Sequence, residues 1–361
     1  MRGEAEQWTG AERLMATLYL TEEQTTVKIE GEALRLQMPR GQERQVVRVP
    51  LAKVDQVVVL GNITLTTPAL QALLERGIAV HYLSARGRSY GSLVADWGKN
   101  SGPRLALYAL YTDLPRRFAA ARQCVAGKLI NMRAVLLRYA RNREDNAALL
   151  EAVQQIRAAL RALARAQPPA QLATDDRMGG LGELFGIEGS ASAAYYGVLG
   201  LLLKPPWQFV GRVRRPPTDP VNALLSFGYS LLTNQTTALI QAVGLDPGVG
   251  LLHQPGFGKP ALALDIMEAF RPIIVDSVVI TMINTGQLTP GDLEEELGAF
   301  RLRDRARRTF LEKFEERLNE RIRHPVFGYQ ISYRRCIELQ VRLLAKYAQG
   351  EIPRYVPFTV R

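Results

Sequence analysis

The residue pattern of the chain changes at about residue 95, and this change limits the folds that the chain can adopt. Before it, the runs 26–29 and 34–36 alternate between apolar and polar residues on either side of Gly31-Glu32, a pattern typical of a two-stranded hairpin. The runs 46–49, 57–60 and 78–83 also predict strands. After it, apolar residues recur at helical spacing. We therefore expect an α+β protein, with a small β-rich N-terminal domain (residues 1–95) followed by a larger all-α domain (residues 96–361).

Capping and breaking residues indicate where the helices begin and end. Thr67 and Pro68 are expected to start a short helix that ends at Gly77, and Asp219 is expected to cap a helix that begins at Val221. His81 falls within the last predicted strand, where we expect a buried, hydrogen-bonded side chain. Further helices are predicted at 105–111, 118–141, 147–166, in 184–203, and at about 264–283, 302–323 and 332–349.

The apolar runs and the cysteines argue against several classes of protein. The longest apolar run, at 195–203, is far shorter than the ~20 residues that span a bilayer. The first residues are too polar for a secretory signal. Cys124 and Cys336 lie far apart and outside any ligand motif, so we expect neither a disulfide framework nor a zinc site. The simplest expectation is a protein of the reducing cytoplasm, with no membrane partner.

A candidate metal site lies between residues 248 and 272. His253 comes shortly before a predicted helix that carries Asp265 and Glu268, and residues three apart on a helix lie on the same face. The surrounding residues are apolar, and buried carboxylates need a cation or hydrogen bonds. Carboxylates with one imidazole favour Mg²⁺ or Mn²⁺ over Zn²⁺. An ion pair between Glu268 and Arg271 is the structural alternative.

Glu188 is a candidate third ligand, because it is the only charged residue in the run 184–203. The small residues at 189–194 would allow another helix to approach closely. A lone carboxylate in such a helix is expected to face a positive group inside the protein. The alternative is a glutamate near a helix start that the helix dipole stabilises.

Positive charge is concentrated in two regions of a chain whose net charge is +11. Residues 114–143 contain eight Lys and Arg and no acidic residue, and residues 301–361 contain 15 Lys and Arg against 7 Asp and Glu. Such clusters are typical of surfaces that contact phosphates. Solvated helix faces are the alternative, above all in the C-terminal region, where glutamates alternate with arginines.

The candidate DNA-binding residues come from these regions and from the loop and helices beside the metal site. Arg214 and Arg215 precede a proline-fixed loop and are expected to contact phosphates. Asn222, Ser226 and Tyr229 share a helical face that lines the DNA path, braces the metal helix, or simply packs between helices. The full set is Arg116, Arg117, Lys128, Arg133, Arg214, Arg215, Asn222, Tyr229, Lys259 and Arg271.

A metal site together with basic surfaces favours an enzyme that acts on DNA. A non-catalytic DNA-binding scaffold would keep the basic surface, but it would not need Glu188, His253 and Glu268 together. A metal-dependent hydrolase of small phosphate compounds would keep the carboxylates, but it would have little use for the basic regions. The combination of the two features separates these three classes.

Four segments together resemble the CRISPR-associated Cas1 family of spacer-acquisition integrases. They are RRFAAARQCVAGKLINMR at 116–133, GIEGSASAAYYG at 186–197, RRPPTDPVNALLSFGYSLL at 214–232 and LLHQPGFGKPALALDIMEAFRPIIVD at 251–276. The resemblance extends from about residue 15 to 358. One departure is Ala269, which stands where the family helix often has proline.

The resemblance implies a fold, a site and an activity. The N-terminal domain would mediate homodimerisation, and the helical domain would be catalytic. Glu188, His253 and Glu268 would bind the metal, with Asp265 as a further ligand or as a support for one. The implied reaction is metal-dependent transfer of prespacer DNA into the CRISPR array, with nuclease activity on double-stranded DNA and no covalent protein intermediate. The implied partner is a Cas2 dimer that bridges two integrase dimers in a heterohexamer.

Overall fold

The computed structural model describes residues 17–40, 43–84, 87–95, 101–141, 143–170, 178, 180–213 and 216–360. The chain forms two compact units, Met1–Ser84 with Tyr90–Ala95, and Ala85–Ser89 with Asp96–Arg361. The border between them lies close to the change of residue pattern at residue 95.

The first unit is rich in strands. Its described residues form one α-helix, α1 (Thr67–Glu75), and two four-stranded sheets with the orders β1-β5-β7-β8 and β4-β3-β2-β6. The strands are β1 (Thr17–Leu20), β2 (Thr26–Glu30), β3 (Ala33–Arg40), β4 (Glu43–Pro50), β5 (Gln56–Leu60), β6 (Thr64–Leu65), β7 (Ala79–Leu83) and β8 (Ser89–Leu93).

The predicted hairpin is the pair β2–β3, which turns at Gly31 with a φ of +59°. Val27 pairs with Leu36, and both side chains are buried, because alternate residues of a strand face the same side of the sheet. Every residue of β5 is buried, as expected for the central strand of a parallel sheet.

His81 confirms the prediction of a buried, hydrogen-bonded histidine. It lies in β7, and its Nδ1 is 2.7 Å from the Ser92 hydroxyl. Burial lowers the pKa of His81 to about 4, so the ring is neutral at pH 7 and takes no part in charge-based recognition.

The second unit is mainly helical. Its helices are α2 (Gly102–Thr112), α3 (Leu114–Ala140), α4 (Ala147–Arg165), α5 (Gly182–Leu199), α6 (Pro220–Val243), α7 (Ala261–Met267), α8 (Ser277–Asn284), α9 (Asp304–Asn319) and α10 (Tyr333–Ala348). The α+β class is confirmed, but this unit is not entirely helical. It also contains two short antiparallel pairs, β9 (Leu293–Glu296) with β10 (Ala299–Leu302), and β11 (Arg321–Arg323) with β12 (Gln330–Ser332).

The helix predicted at 264–283 is interrupted. It divides into α7, a π-helical turn at Pro272–Asp276 and α8. Pro272 has no backbone N–H, and its ring would clash with the carbonyl four residues earlier, at Glu268. A wider π-helical turn relieves this conflict. The interruption therefore begins just after Glu268, one of the expected ligands.

Side-chain caps define the starts of three α-helices in the described part of this unit, and Asp113 caps α3 by accepting from the Arg116 N–H. Asp219 caps α6 as predicted, because its side chain accepts a hydrogen bond of 2.8 Å from the Asn222 N–H. Ser332 caps α10 in the same way and accepts from the Arg335 N–H. Among the described residues, no helix is both long enough and apolar enough to cross a membrane.

Candidate metal centre

Three helices bring two carboxylates to one ammonium group. Glu188 of α5 and Glu268, directly after α7, both form ion pairs with Lys128 of α3. The distance from Lys128 Nζ to Glu268 Oε2 is 2.7 Å. Lys128 is only 1% exposed, so the pairs are shielded from water. The expected positive group opposite Glu188 is thus present, and it is a lysine of the central helix.

Glu268 is held by a second cation as well. Its Oε1 lies 2.7 Å from Arg271 Nη1, one helical turn further along the chain. Burial alone would raise the pKa of Glu268, but the charges of Arg271 and Lys128 outweigh it and lower the pKa to about 2. The carboxylate is therefore ionised at neutral pH, and the ion pair with Arg271 that we considered as an alternative to a metal does form.

Glu188 is oriented within its own helix. Ser192, one turn later in α5, donates a hydrogen bond of 2.7 Å to Glu188 Oε1, the same oxygen that contacts Lys128. Part of the Glu188 side chain reaches solvent, whereas Glu268 is almost fully buried. Of the two glutamates that contact Lys128, Glu188 therefore lies towards solvent and Glu268 towards the interior.

Asp265 organises the loop before α7. It is fully buried, and its Oδ2 accepts hydrogen bonds from the backbone N–H groups of Leu251 (2.5 Å) and Leu252 (3.0 Å). Its Oδ1 accepts from the His253 N–H and lies 2.6 Å from His253 Nδ1. Of the two roles expected for Asp265, the structure thus supports that of holding a ligand in place.

The contact with Asp265 fixes the ring of His253. Because Nδ1 is taken, Nε2 is the ring nitrogen available to a ligand. The Phe185 ring packs edge-on against the imidazole at 5.8 Å between centroids. Gly250 allows the loop to approach this closely, since a Cβ there would lie 2.8 Å from Asp265 Oδ2. A side chain at position 250 would push the loop away from Asp265.

The donor set fits a divalent cation, although the side chains are not drawn together around one point. In the described part of the chain, no three His, Cys, Asp or Glu side chains are close enough to hold one metal ion. Glu188 and Glu268 nevertheless converge on a single cationic atom, the Nζ of Lys128. Two carboxylates with a nearby imidazole suit Mg²⁺ or Mn²⁺.

A tyrosine–aspartate cluster next to this centre was not predicted as a cluster, although Tyr229 was among the candidate residues. Asp276, in the π-helical turn, accepts hydrogen bonds from the hydroxyls of Tyr229 (2.5 Å) and Tyr195 (2.9 Å). The Tyr196 hydroxyl lies 2.8 Å from that of Tyr229. Burial raises the pKa of Asp276 to about 6. Tyr195 and Asp276 are 81 residues apart, so the local residue pattern of α5 gave no signal of this contact.

The face of α6 predicted from Asn222, Ser226 and Tyr229 packs inside the unit. Tyr229 joins α6 to the π-helical turn, in agreement with the bracing alternative. Asn222 is fully buried; its Oδ1 accepts from Arg212 Nη1 (2.7 Å), and Ser226 accepts from Arg212 Nη2 (2.9 Å). Both residues therefore hold the loop that leads to Arg214 and Arg215, which themselves lie outside the described residues.

The acid-free stretch 114–143 is mostly an interior helix. Arg117 is 5% exposed, donates to the Leu251 carbonyl (2.8 Å) and lies over the Tyr111 ring. Arg116 donates to the Tyr347 carbonyl at 2.7 Å. Three further arginines of the stretch contact groups of this chain, namely Arg122 with the Ala166 carbonyl, Arg138 with the Ser277 hydroxyl and Arg143 with the Leu201 carbonyl.

These positions correct part of the expected DNA-binding set. Direct contact with phosphate is not supported for Arg117, Lys128, Asn222 or Tyr229, because their side chains are buried and bound to protein groups. The physical reason is that α3 and α6 are central helices, so their polar side chains satisfy carbonyls and carboxylates of neighbouring elements. The candidates that keep partial exposure are Arg116, Arg133, Lys259 and Arg271.

The C-terminal basic region follows the alternative of a solvated, ion-paired surface. Arg335 and Arg342 both pair with Glu338 in α10. In α9, Lys313 pairs with Glu316 at 2.7 Å. Much of the positive charge in this region is therefore balanced locally.

Comparisons with known proteins agree with this architecture. The model of the family described as CRISPR associated protein Cas1 matches residues 18–316. The chain is 39% identical over 355 residues to a CRISPR-associated exonuclease Cas4/endonuclease Cas1 fusion of Geobacter sulfurreducens, a match that covers 95% of this chain and 60% of that protein. It is 36% identical to a CRISPR-associated endonuclease Cas1 of Thermus thermophilus, over 96% of this chain and 98% of that one.

Solved structures show the same fold. A Cas1 protein from Thermotoga maritima superposes with a TM-score of 0.76 at 26% identity, over 96% of this chain and all of that chain. A Cas6-RT-Cas1–Cas2 complex gives a TM-score of 0.78 at 25% identity, over 98% of this chain and 36% of that chain.

Proposed function

The chain belongs to the CRISPR-associated Cas1 family, and from that membership we propose that it is an integrase and endonuclease of CRISPR adaptation. The proposed reaction joins the 3′ hydroxyl of prespacer DNA to a phosphodiester of the CRISPR repeat, in the cytoplasm where the array lies. The observation that carries this proposal is the convergence of Glu188 and Glu268 on one cation position, beside a histidine whose ring is fixed.

Glu188, His253 and Glu268 would hold Mg²⁺ or Mn²⁺. When bound, the ion would offset negative charge on the phosphate and help to orient the attacking hydroxyl. Asp265 keeps His253 in the tautomer that leaves Nε2 free to bind. Arg271 keeps Glu268 ionised. In strand transfer the new P–O bond forms as the old one breaks, so no serine or tyrosine nucleophile is needed.

DNA contacts are proposed for the basic residues that are exposed in part, together with the pair Arg214–Arg215. Arg116, Arg133, Lys259 and Arg271 would contact the phosphate backbone near the metal centre. The solved Cas6-RT-Cas1–Cas2 complex contains Cas2, and we propose that this chain also assembles with a Cas2 dimer. Homodimerisation through the N-terminal unit is part of the same proposal.

Strand transfer by the purified protein tests the function. A labelled duplex with free 3′ hydroxyls and a supercoiled repeat plasmid are incubated with the protein and Cas2, in Mn²⁺ or in EDTA. We expect labelled, nicked plasmid in Mn²⁺ and none in EDTA. Glu188→Gln should remove the product, whereas Glu183→Gln, an exposed glutamate of the same helix, should not.

The alternative function, a non-catalytic DNA-binding scaffold, gives a different result. A scaffold would bind DNA equally well in Mn²⁺ and in EDTA, and it would give no product under either condition. Glu188→Gln is preferred to Glu268→Ala in this test, because removing Glu268 leaves Arg271 without its carboxylate and Lys128 with Glu188 alone. Breaking a buried ion pair in this way costs about 3–5 kcal/mol of stability.

A further inference from the structure

Lys128 occupies a position that is unusual for a lysine. It lies in the middle of α3, it is almost fully buried, and its ammonium contacts the two glutamates that face the candidate metal position. A buried ammonium is tolerated only when carboxylates compensate for the lost hydration. Both of the compensating carboxylates are residues that the proposed metal also needs.

The site is close to electrically neutral before a metal binds. Two negative charges, on Glu188 and Glu268, are matched by two positive charges, on Lys128 and Arg271. The two cations differ in what they contact. Arg271 binds Glu268 Oε1 from the side, whereas Lys128 lies between the two glutamates and contacts both. A divalent ion that binds both carboxylates must therefore share them with the Lys128 ammonium, which repels it.

We propose that Lys128 is a resident counter-ion of the metal centre. It holds Glu188 and Glu268 at the spacing of a single cation when no metal is bound, and it competes with the divalent ion for their oxygens. The affinity for metal is then set by this competition as well as by the ligands. This inference rests on the proposed function only in taking Glu188 and Glu268 as metal ligands.

The test is a titration with Mn²⁺ in the absence of DNA. The affinity for Mn²⁺ is measured by calorimetry and by the electron paramagnetic resonance signal of free Mn²⁺. Lys128→Gln and Lys128→Met remove the competing charge, and we expect each variant to bind Mn²⁺ at least about tenfold more tightly than the wild type. Lys128→Arg keeps the charge and serves as the matched control, with affinity close to that of the wild type. Unchanged or weaker binding in both neutral variants would overturn the proposal.

Thermal unfolding gives a second readout. Without metal, the neutral variants should unfold at a lower temperature than the wild type, because the two carboxylates lose their shared cation. Added Mn²⁺ should raise the midpoint of these variants by more than it raises that of the wild type. An equal rise of the midpoint in the wild type, Lys128→Gln and Lys128→Met would contradict the competition between the Lys128 ammonium and Mn²⁺.

Chemical rescue keeps the proposal testable if Lys128→Gln and Lys128→Met unfold the protein. Lys128→Ala leaves a cavity that methylammonium fits and tetramethylammonium does not. Methylammonium should restore the midpoint of this variant and weaken its binding of Mn²⁺, whereas tetramethylammonium at the same ionic strength should do neither. Identical effects of methylammonium and tetramethylammonium would overturn the proposal that Lys128 competes with Mn²⁺.

Variants of the ligands separate this inference from the proposed function. Glu188→Gln should weaken Mn²⁺ binding in both the wild-type and the Lys128→Gln background. If it weakens binding in neither, the assignment of the metal site is wrong and the proposed function fails with it. If it weakens binding in both while Lys128→Gln binds like the wild type, only the counter-ion role of Lys128 is wrong.

Discussion

At the scale of single residues, the carboxylate of Asp265 connects the loop 250–253 to α7. It accepts hydrogen bonds from three successive backbone N–H groups and contacts the His253 ring. In Asp265→Asn an amide NH₂ replaces one carboxylate oxygen, so at least one buried N–H loses its acceptor. We expect the free energy of unfolding to fall by about 1–3 kcal/mol, measured by denaturant titration.

The same variant should also affect His253. Its ring loses a charged partner at Nδ1, so Mn²⁺ should bind more weakly in calorimetry even where the protein is folded. Asp246→Asn is a suitable control, because Asp246 also accepts from a loop N–H, that of Gly248, but has no contact with His253. A variant with unchanged stability and unchanged Mn²⁺ binding would show that the hydrogen bonds to Asp265 do not organise the site.

Asp276 gives a prediction about pH. Burial raises its pKa from the usual value of 3.8 to about 6 in the folded protein. The folded state therefore binds the proton more tightly than the unfolded state. The resulting stabilisation is complete below pH 3.8 and is lost as the pH rises through 6. Asp276→Asn cannot ionise and should escape this loss.

The measurement is the free energy of unfolding of the wild type and of Asp276→Asn between pH 4 and pH 7. The stability of the variant relative to the wild type should rise with pH over this range, by up to about 3 kcal/mol. Asp304→Asn, which changes an exposed side chain, controls for general effects of the substitution. A difference between the two proteins that stays constant with pH would contradict the raised pKa.

At the scale of secondary-structure elements, α6 packs closely against the π-helical turn through Gly228. A Cβ at this position would lie 2.5 Å from Val275 and 2.8 Å from the Phe310 ring. Gly228→Ala should therefore overpack the interface and lower the free energy of unfolding by about 1–3 kcal/mol. Because the turn follows Glu268, the substitution should also weaken Mn²⁺ binding.

Gly197→Ala provides the matched control for Gly228→Ala. Gly197 lies in α5, and a Cβ there meets no atom within 4 Å. The substitution should stabilise the protein by up to about 1 kcal/mol, since alanine favours a helix more than glycine does. Both variants are measured by denaturant unfolding. Equal effects at the two positions would rule out close packing as the cause.

Elements with clear periodicity or caps were predictable from the sequence, and the short strand pairs of the helical unit were not. The hairpin β2–β3 and the helices α3, α4, α6 and α10 follow from alternation, helical spacing and caps. The pairs β9–β10 and β11–β12 have at most four residues a strand, too few to produce a pattern. The π-helical turn forms because Pro272 does not fit an α-helix, while packing holds the helical segments on both sides of it.

The candidate site was predictable in its chemistry but not in its arrangement. The residue types identified Glu188, His253 and Glu268, because charged side chains in apolar surroundings need partners. The partner itself was not visible, since Lys128 lies in a stretch whose positive charge indicates a DNA surface. Only the packing of α3 between other helices shows that this lysine faces inward.

At the scale of the whole molecule, the net charge of +11 does not measure the surface that DNA can use. Arg117 and Arg122 of α3 donate to carbonyls inside the helical unit, and Arg317 of α9 and Arg335 of α10 pair with glutamates. The charge of a buried side chain such as Arg117 adds to the long-range attraction of DNA, but we do not expect that side chain to contact a phosphate. Affinity for DNA should therefore depend on a small number of basic residues.

The salt dependence of DNA binding tests this distribution. Each phosphate contact that is lost lowers the slope of log K against log salt by about 0.9. If Arg214 and Arg215 each contact one phosphate, replacing both with alanine should weaken binding and lower the slope by about 2. Arg117→Gln removes a buried positive charge that donates to the Leu251 carbonyl, so it should change stability and leave the slope unchanged. Filter binding over a range of salt concentrations measures both slopes, and equal slopes in the two variants would mean that DNA affinity follows total charge and not a few contacts.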